Sequence, residues 1–458
     1  MKIIPQIHPD VHPISDAISS FLKRYRLGAL LKSCNAYKSK GFAVIVVFEY
    51  LLGLIFSNRS MYMNLLTKNY CPDFSKDTAY RLLNSASINW QKFTTLLAEQ
   101  VTNQSIVDLT DAARDNVFII DDTLYERNRS KKVELLSKVY DHAKNRYCKG
   151  FRLLTLGWSD GNTFVPVSGS LLASENKKNQ YHGSAPDLDK RSLAFKRRQQ
   201  AQRKATEVMM ELIDLALTSG LKASYVLFDT WFCSPSSLIA IKDKDIDVIA
   251  MAKKSSKVLY LFEGKRRSAM DIYRMCKKRR GRSKYLLSVE VSVQKDEKTL
   301  PVRLVFVRNH NKPKDYLVLI STNVTLSESE VIRIYGKRWD IEVFFKVCKS
   351  YLNLSGSFKG LSYDAQTAHV AIVFTRYTLL SIEQRFNTDA RSIGELFYLV
   401  CDELADISFD HSYAILMDAF IATIGEEFGL SQPQVMDFME RFILTLPKML
   451  QISLKTCA

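Results

Sequence analysis

The chain reads as an α/β protein with a β-rich insertion and helical regions at both ends. Three observations predict this. Residues 1 to about 110 carry apolar side chains at helical spacing, through Ile18, Phe21 and Leu22, then Phe42, Val46 and Val47, then Phe93, Leu96 and Leu97. From Val117 onward, short apolar runs that end in acidic residues alternate with helical stretches. Between about 255 and 325 the period falls to two, as over 284–293 and 301–307, which marks antiparallel strands.

Each element has a local reason. In the N-terminal region, Ser75 precedes a short polar turn and an apolar stripe, which predicts a capped helix over 76–83. Two readings of it stay open: a recognition helix of a helix-turn-helix unit with Lys76 and Arg81 toward phosphates, or a capped core helix. Val117, Phe118, Ile119 and Ile120 form a buried strand that runs into Asp121 and Asp122. Strands over 150–158 and 164–170 follow, and the turn Ser159, Asp160, Gly161, Asn162 makes them a hairpin. A polar loop over 175–190 leads to one long basic helix over about 191–217, with Lys196, Arg197, Arg198, Arg203 and Lys204 in its first half. A strand over 224–228 ends at Asp229, a helix spans 235–242, and a third core strand spans 247–251. The insertion carries its densest charge at Lys277, Lys278, Arg279 and Arg280. Helices resume at Ser327, and an apolar one spans about 365–380.

Composition narrows the function. The 458 residues are 47% hydrophobic and 25% charged, an ordinary globular balance. The net charge of +17 is not ordinary and calls for a polyanionic partner, nucleic acid or an anionic membrane. The longest apolar run, residues 42–56, is broken by Glu49 and too short to span a bilayer. No apolar signal core stands at 1–15. The eight cysteines contain no Cys-x2-Cys pair, so they read as reduced thiols rather than a structural zinc site.

The most informative segment is 335–349. Read as one continuous helix, Tyr335, Arg338, Glu342 and Lys349 fall within an arc of about 60° and along about 21 Å of axis. A packing helix places apolar residues in such a stripe. Here a carboxylate stands among phosphate-seeking cations, the combination that metal-assisted phosphoryl transfer on DNA uses. The plainer alternative is a solvated face with Arg338 and Glu342 as a helical ion pair. Asp121 and Asp229, each closing an apolar strand, supply the further hard oxygen ligands that such chemistry needs.

With its spacing Tyr-x2-Arg-x3-Glu-x6-Lys, the segment resembles the DDE transposases of bacterial insertion sequences, and within them insertion sequence family four. The resemblance covers roughly residues 115–350. It implies a ribonuclease-H-like core in which the first and fourth strands lie side by side and bring distant acids together. It implies Asp121, Asp229 and Glu342 as the catalytic and metal-holding triad, with two Mg²⁺ ions, or Mn²⁺, per site. The family pattern of Asp, a variable residue, then Thr or Ser selects Asp121 over its neighbour Asp122, which remains the alternative. Tyr335, Arg338 and Lys349 are implied as DNA-phosphate contacts. Trp339 either stacks on a base or packs in the core. Lys277, Lys278, Arg279 and Arg280 either track DNA or form a solvated loop. On this reading residues 1–112 are a helical DNA-binding region, 113–254 and 326–362 the two parts of the core, 255–325 the β insertion and 363–458 a helical region available for dimerisation. The expected partners are double-stranded DNA, both transposon ends and target, and a second copy of the chain on that DNA. The expected location is the bacterial cytoplasm at the nucleoid.

Overall fold

The computed structural model describes residues 13–54, 61–66, 72–111, 114–141, 144–185, 188–281, 283–309, 312, 315–356, 358–387, 423–424 and 427–445. The chain divides into two units, Met1–Gly394 and Glu395–Ala458.

The first unit is built on one mixed sheet. Its core strands are β1 (Val117–Glu126), β2 (Ser137–Asp141), β3 (Arg146–Ser159), β4 (Phe164–Leu172), β5 (Tyr225–Phe228) and β6 (Asp247–Met251). β3 is antiparallel to β1, while β5 runs parallel to β1 and β6 parallel to β5. The resulting order β4-β3-β1-β5-β6 is the ribonuclease-H-like arrangement. The central strands are apolar on both faces, as parallel strands covered on both sides must be.

The insertion does not stand apart from this sheet. β7 (Leu259–Phe262), β8 (Lys265–Ser268), β9 (Tyr285–Lys295), β10 (Lys298–Arg308) and β11 (Tyr316–Ser321) prolong it, because β11 pairs antiparallel with β6. The β7–β8 hairpin turns at Glu263 and Gly264, both left-handed at φ 50° and 72°, which suits the right-handed strand twist.

Alternation along β1 sorts the two faces. Phe118 and Ile120 join one core cluster with the N-terminal helices; Val117 and Ile119 join the other. The first face is covered by α1 to α6 (Pro13–Arg24, Leu27–Ser33, Val44–Gly53, Met61–Leu66, Lys76–Leu83, Trp90–Val101) and by α8 (Ala205–Thr218), which follows α7 (Leu193–Ala201). After α9 (Pro235–Lys242) and α10 (Ala269–Met275), the second face receives α11 (Glu328–Gly336) and α12 (Trp339–Ser350). In α12, Ile341, Phe344, Phe345 and Cys348 recur at offsets of three, four and seven and are buried. α13 (Tyr363–Asn387) packs on α6 and β4 and feeds both clusters.

Three expectations change. The basic helix over 191–217 is two helices, broken at Gln202–Lys204. The 335–349 helix is also two, because α11 ends at Gly336 and Lys337 and Arg338 form a turn. Gly336 weakens the helix there, and the buried Lys337 leaves it to donate to the backbone carbonyls of Asp115 and Asp160. The expected single β insertion set apart from the core is instead fused to the sheet through β11 and β6, while α13 packs its apolar residues largely inside this unit.

In α5, Thr78, Ala79, Leu82 and Leu83 are buried while Lys76 and Arg81 stay exposed. Residues 67–71, which would carry the turn before it, lie outside the described residues. In the second unit, helix Gln432–Thr445 gathers Val435, Met439, Leu430 and Phe442 and exposes Phe438 and Leu444. Residues 388–422 lie outside the described set, as does His142. Among the described residues, no helix is long and apolar enough to cross a membrane.

Candidate active site

Strand register builds the site. Ile120 of β1 pairs with Phe228 of β5 in parallel, so Asp121 and Asp229, the next residue on each, leave the pairing at the same level. Odd residues of β1 face α11 and α12, so Asp121 and Thr123 look toward the helices that carry Tyr335, Arg338, Glu342 and Lys349. Although the helix is interrupted, this motif stays together at the same sheet face.

Arg338 ties the acids. Its Nη1 donates to Asp121 Oδ2 at 3.1 Å, and its Nη2 donates to Glu342 Oε1. Asp121 Oδ1 also accepts the Asp122 backbone N–H at 2.8 Å. Asp229 accepts the Trp231 backbone N–H at 2.8 Å, which fixes the turn after β5. The Tyr335 ring lies 5.9 Å from the Arg338 guanidinium carbon, and its buried hydroxyl has no hydrogen-bond partner of good geometry. Lys349 Nζ donates to Thr123 Oγ1 at 2.6 Å, further along the same face of β1.

The electrostatics are unbalanced. Asp121 and Glu342 share one guanidinium, −2 + 1 = −1 when both are ionised, and Asp229 lies close enough to Asp121 to add to the negative charge there. Burial pushes the Asp121 carboxyl up to about 7; Arg338 and the Asp122 amide oppose the rise, while Asp229 and Asp122 add to it. For Arg338, burial works against the charge, but Tyr335, Glu342 and Asp121 outweigh it and hold the guanidinium more basic than usual. A hard-oxygen set with this charge deficit, already holding an organic cation between two members, fits divalent metal ions.

Asp122 faces the other way. It makes a two-point pair with Arg152 of β3, with Nε to Oδ1 at 3.1 Å. Arg152 lies 5.1 Å from the Trp231 ring, and Lys253 lies 5.7 Å from it. Trp231 is 54% exposed, and Trp339 is 48% exposed rather than packed in the core. Sequence reasoning missed Arg152, Trp231 and Lys253. Trp231 stood two residues past Asp229 as a signal, but Arg152 needed the β1–β3 register.

Two other groups lie apart. Lys277, Arg279 and Arg280 are exposed in the segment after α10, with Lys278 Nζ 4.8 Å from the Tyr273 ring and Arg279 over Tyr285 at 4.5 Å. None of the described contacts joins them to the acids. At the far end of β1, potential ligand atoms of Glu126, Asp141 and Cys148 lie within 4.8 Å of one another. Lys144 already neutralises that group, with Nζ 3.2 Å from Glu126 and 3.8 Å from Asp141. Asp340 is buried and accepts from Ser159 Oγ at 2.6 Å, so it serves packing.

Comparisons with known proteins bear on the whole. The family model described as DDE superfamily endonuclease matches residues 48–305, more than half of the chain. That span contains Asp121 and Asp229 and ends before Glu342. No curated protein matches the sequence. Among solved structures, the chain is similar to one in a cryo-EM structure of a piggyBac transposase synaptic complex with hairpin DNA. Identity is 13%, the TM-score is 0.41, and the match covers 84% of this chain and 76% of that one.

Proposed function

The chain belongs to the DDE superfamily endonucleases, and from that premise we propose that it is a metal-dependent transposase of the insertion sequence family four type. It cuts transposon-end DNA by phosphoryl transfer and joins the freed 3′-hydroxyls to target DNA. Asp121, Asp229 and Glu342 hold two Mg²⁺ ions, with Mn²⁺ able to replace them. Metal held by these carboxylates would lower the pKa of a bound water and offset the charge that develops on the phosphate oxygens. The observation that carries this reading is the register that sets Asp121 beside Asp229, with Glu342 tied to Asp121 through Arg338.

The chain's own residues position the DNA. Arg338 grips a non-bridging phosphate oxygen pair, and Lys349 adds a point charge further along the strand. Tyr335 offers its hydroxyl to the same phosphate. Trp339 and Trp231 present exposed rings at the rim, and Lys277, Lys278, Arg279 and Arg280 track the duplex outside it. Residues 1–112 bind end DNA, and a homodimer on DNA brings two active sites to the paired ends.

The test uses purified chain, a duplex carrying the element's end, and Mg²⁺. Cleavage with strand-transfer products supports the reading. Cleavage without joining points to a nuclease or resolvase. Binding without cleavage points to an inactive, domesticated DNA-binding derivative.

A further inference from the structure

The Arg338 guanidinium lies between the carboxylates of Asp121 and Glu342. One guanidinium nitrogen contacts Asp121 Oδ2 and the other contacts Glu342 Oε1. A guanidinium on those oxygens occupies one lone pair of each and fills the space between the two carboxylates, and its positive charge repels a divalent cation brought beside it. The arginine sits at the turn between α11 and α12, directly before the first residue of α12. Among the described residues it is anchored on no carboxylate besides these two, and the neighbouring Trp339 side chain is exposed.

We infer that Arg338 has two stations: a resident counter-cation that holds Asp121 and Glu342 together, and, once metal takes over those oxygens, a clamp on the DNA phosphate. This rests on the reading that the acids hold metal, and adds that metal and DNA are coupled through one side chain. Metal loading evicts the guanidinium, and a bound phosphate gives it a new partner. DNA therefore raises metal affinity, and metal raises DNA affinity by the same factor. The site resists metal in the absence of substrate, so it does not stand loaded beside nonspecific DNA.

The experiment is a Mn²⁺ titration of the full chain, read from the electron paramagnetic resonance signal of free Mn²⁺, with and without an uncleavable end duplex. For the wild type, DNA should tighten Mn²⁺ binding by about tenfold. In Arg338→Gln, Mn²⁺ should bind DNA-free protein more tightly than in wild type, by about tenfold, and the DNA effect should shrink to what the phosphate's own ligation of the ion supplies. Arg338→Lys keeps the charge and should bind DNA-free Mn²⁺ no more tightly than wild type. Circular dichroism checks that each variant is folded. If Arg338→Gln binds Mn²⁺ no more tightly than wild type and the DNA effect keeps its wild-type size, the inference is overturned. Asp229→Asn separates the two layers. If it leaves Mn²⁺ binding unchanged, the metal-site reading itself has failed. If it abolishes binding while Arg338→Gln behaves as wild type, only the two-station inference has failed.

Discussion

Arg198 and Arg338, both buried or nearly so, each bridge two carboxylates, with opposite outcomes. Arg198 of α7 meets Glu134 through Nε at 2.6 Å and Nη2 at 2.7 Å, and Asp364 of α13 at 3.0 and 2.8 Å. Arg197 adds a second cation, 2.9 Å from Asp364, so the group sums to +2 − 2 = 0. Glu134 also accepts the backbone N–H groups of Ala185 and Tyr363. Burial alone would raise its carboxyl, but Arg198 and those amides outweigh burial and hold it below the usual range. Around Arg338 the same motif has one cation for two carboxylates, −2 + 1 = −1, with Asp229 nearby, and burial pushes the Asp121 carboxyl up to about 7. A closed, neutral cluster staples segments together; an open, charge-deficient one leaves a net negative charge that the proposed metal ions would offset.

The largest expected effect breaks the open cluster. Asp121→Ala, Asp229→Ala and Glu342→Ala should each reduce cleavage to background while end binding persists, because binding rests on phosphate contacts elsewhere. Asp122→Ala should still cut, since its carboxylate serves Arg152 on the opposite face. A cutting Asp121→Ala beside an inert Asp122→Ala would reverse the assignment.

Breaking the closed cluster should do the reverse. Glu134→Ala leaves a buried guanidinium short of a partner and should cost about 3–5 kcal/mol of stability in urea unfolding. Cleavage should survive at temperatures where the variant remains folded. If stability falls by less than about 1 kcal/mol, the cluster is not the staple described here.

Acid sensitivity sharpens the comparison further. His369 of α13 is buried against Phe358 at 4.4 Å, with Nε2 3.0 Å from the Asn353 carbonyl, and burial pulls its pKa down to about 3. Its folded value lies below the ordinary 6.5, so the unfolded chain takes up the proton first. The contribution is full above pH 6.5 and is lost as pH falls from there toward 3. His369→Gln should flatten the stability curve across the upper part of that window, measured as urea midpoint against pH. An unchanged slope would assign acid sensitivity to other groups.

The smallest effect is on binding. Arg338→Ala and Lys349→Ala should each lower the log-log salt slope of end binding by about one. Unchanged slopes with intact cleavage would return Arg338 to its helical ion pair with Glu342 and Lys349 to its hydrogen bond with Thr123.

The open cluster was largely legible in the sequence, and the closed one was not. Asp121 and Asp229 each follow a short apolar run, and Glu342 sits at fixed spacing from Arg338, so local pattern exposes them. The contacts that join Arg198 to Glu134 and Asp364 span 64 and 166 residues and leave no local trace. The same limit hid Asp122–Arg152, which depends on strand register. Helical periodicity carried Tyr335 to Lys349 through a real break, because Lys337 leaves the helix to satisfy carbonyls more than 170 residues away in sequence. The β insertion was legible by its period, but its fusion to the β6 edge was not, since edge pairing is a tertiary choice.

The most direct measurement is anomalous scattering from Mn²⁺ in crystals of the chain bound to an end duplex. The account predicts peaks within direct ligand distance of Asp121, Asp229 and Glu342, with the Arg338 guanidinium moved from the carboxylates to a phosphate. Peaks confined to Glu126, Asp141 and Cys148, with Arg338 still bridging Asp121 and Glu342, would contradict it.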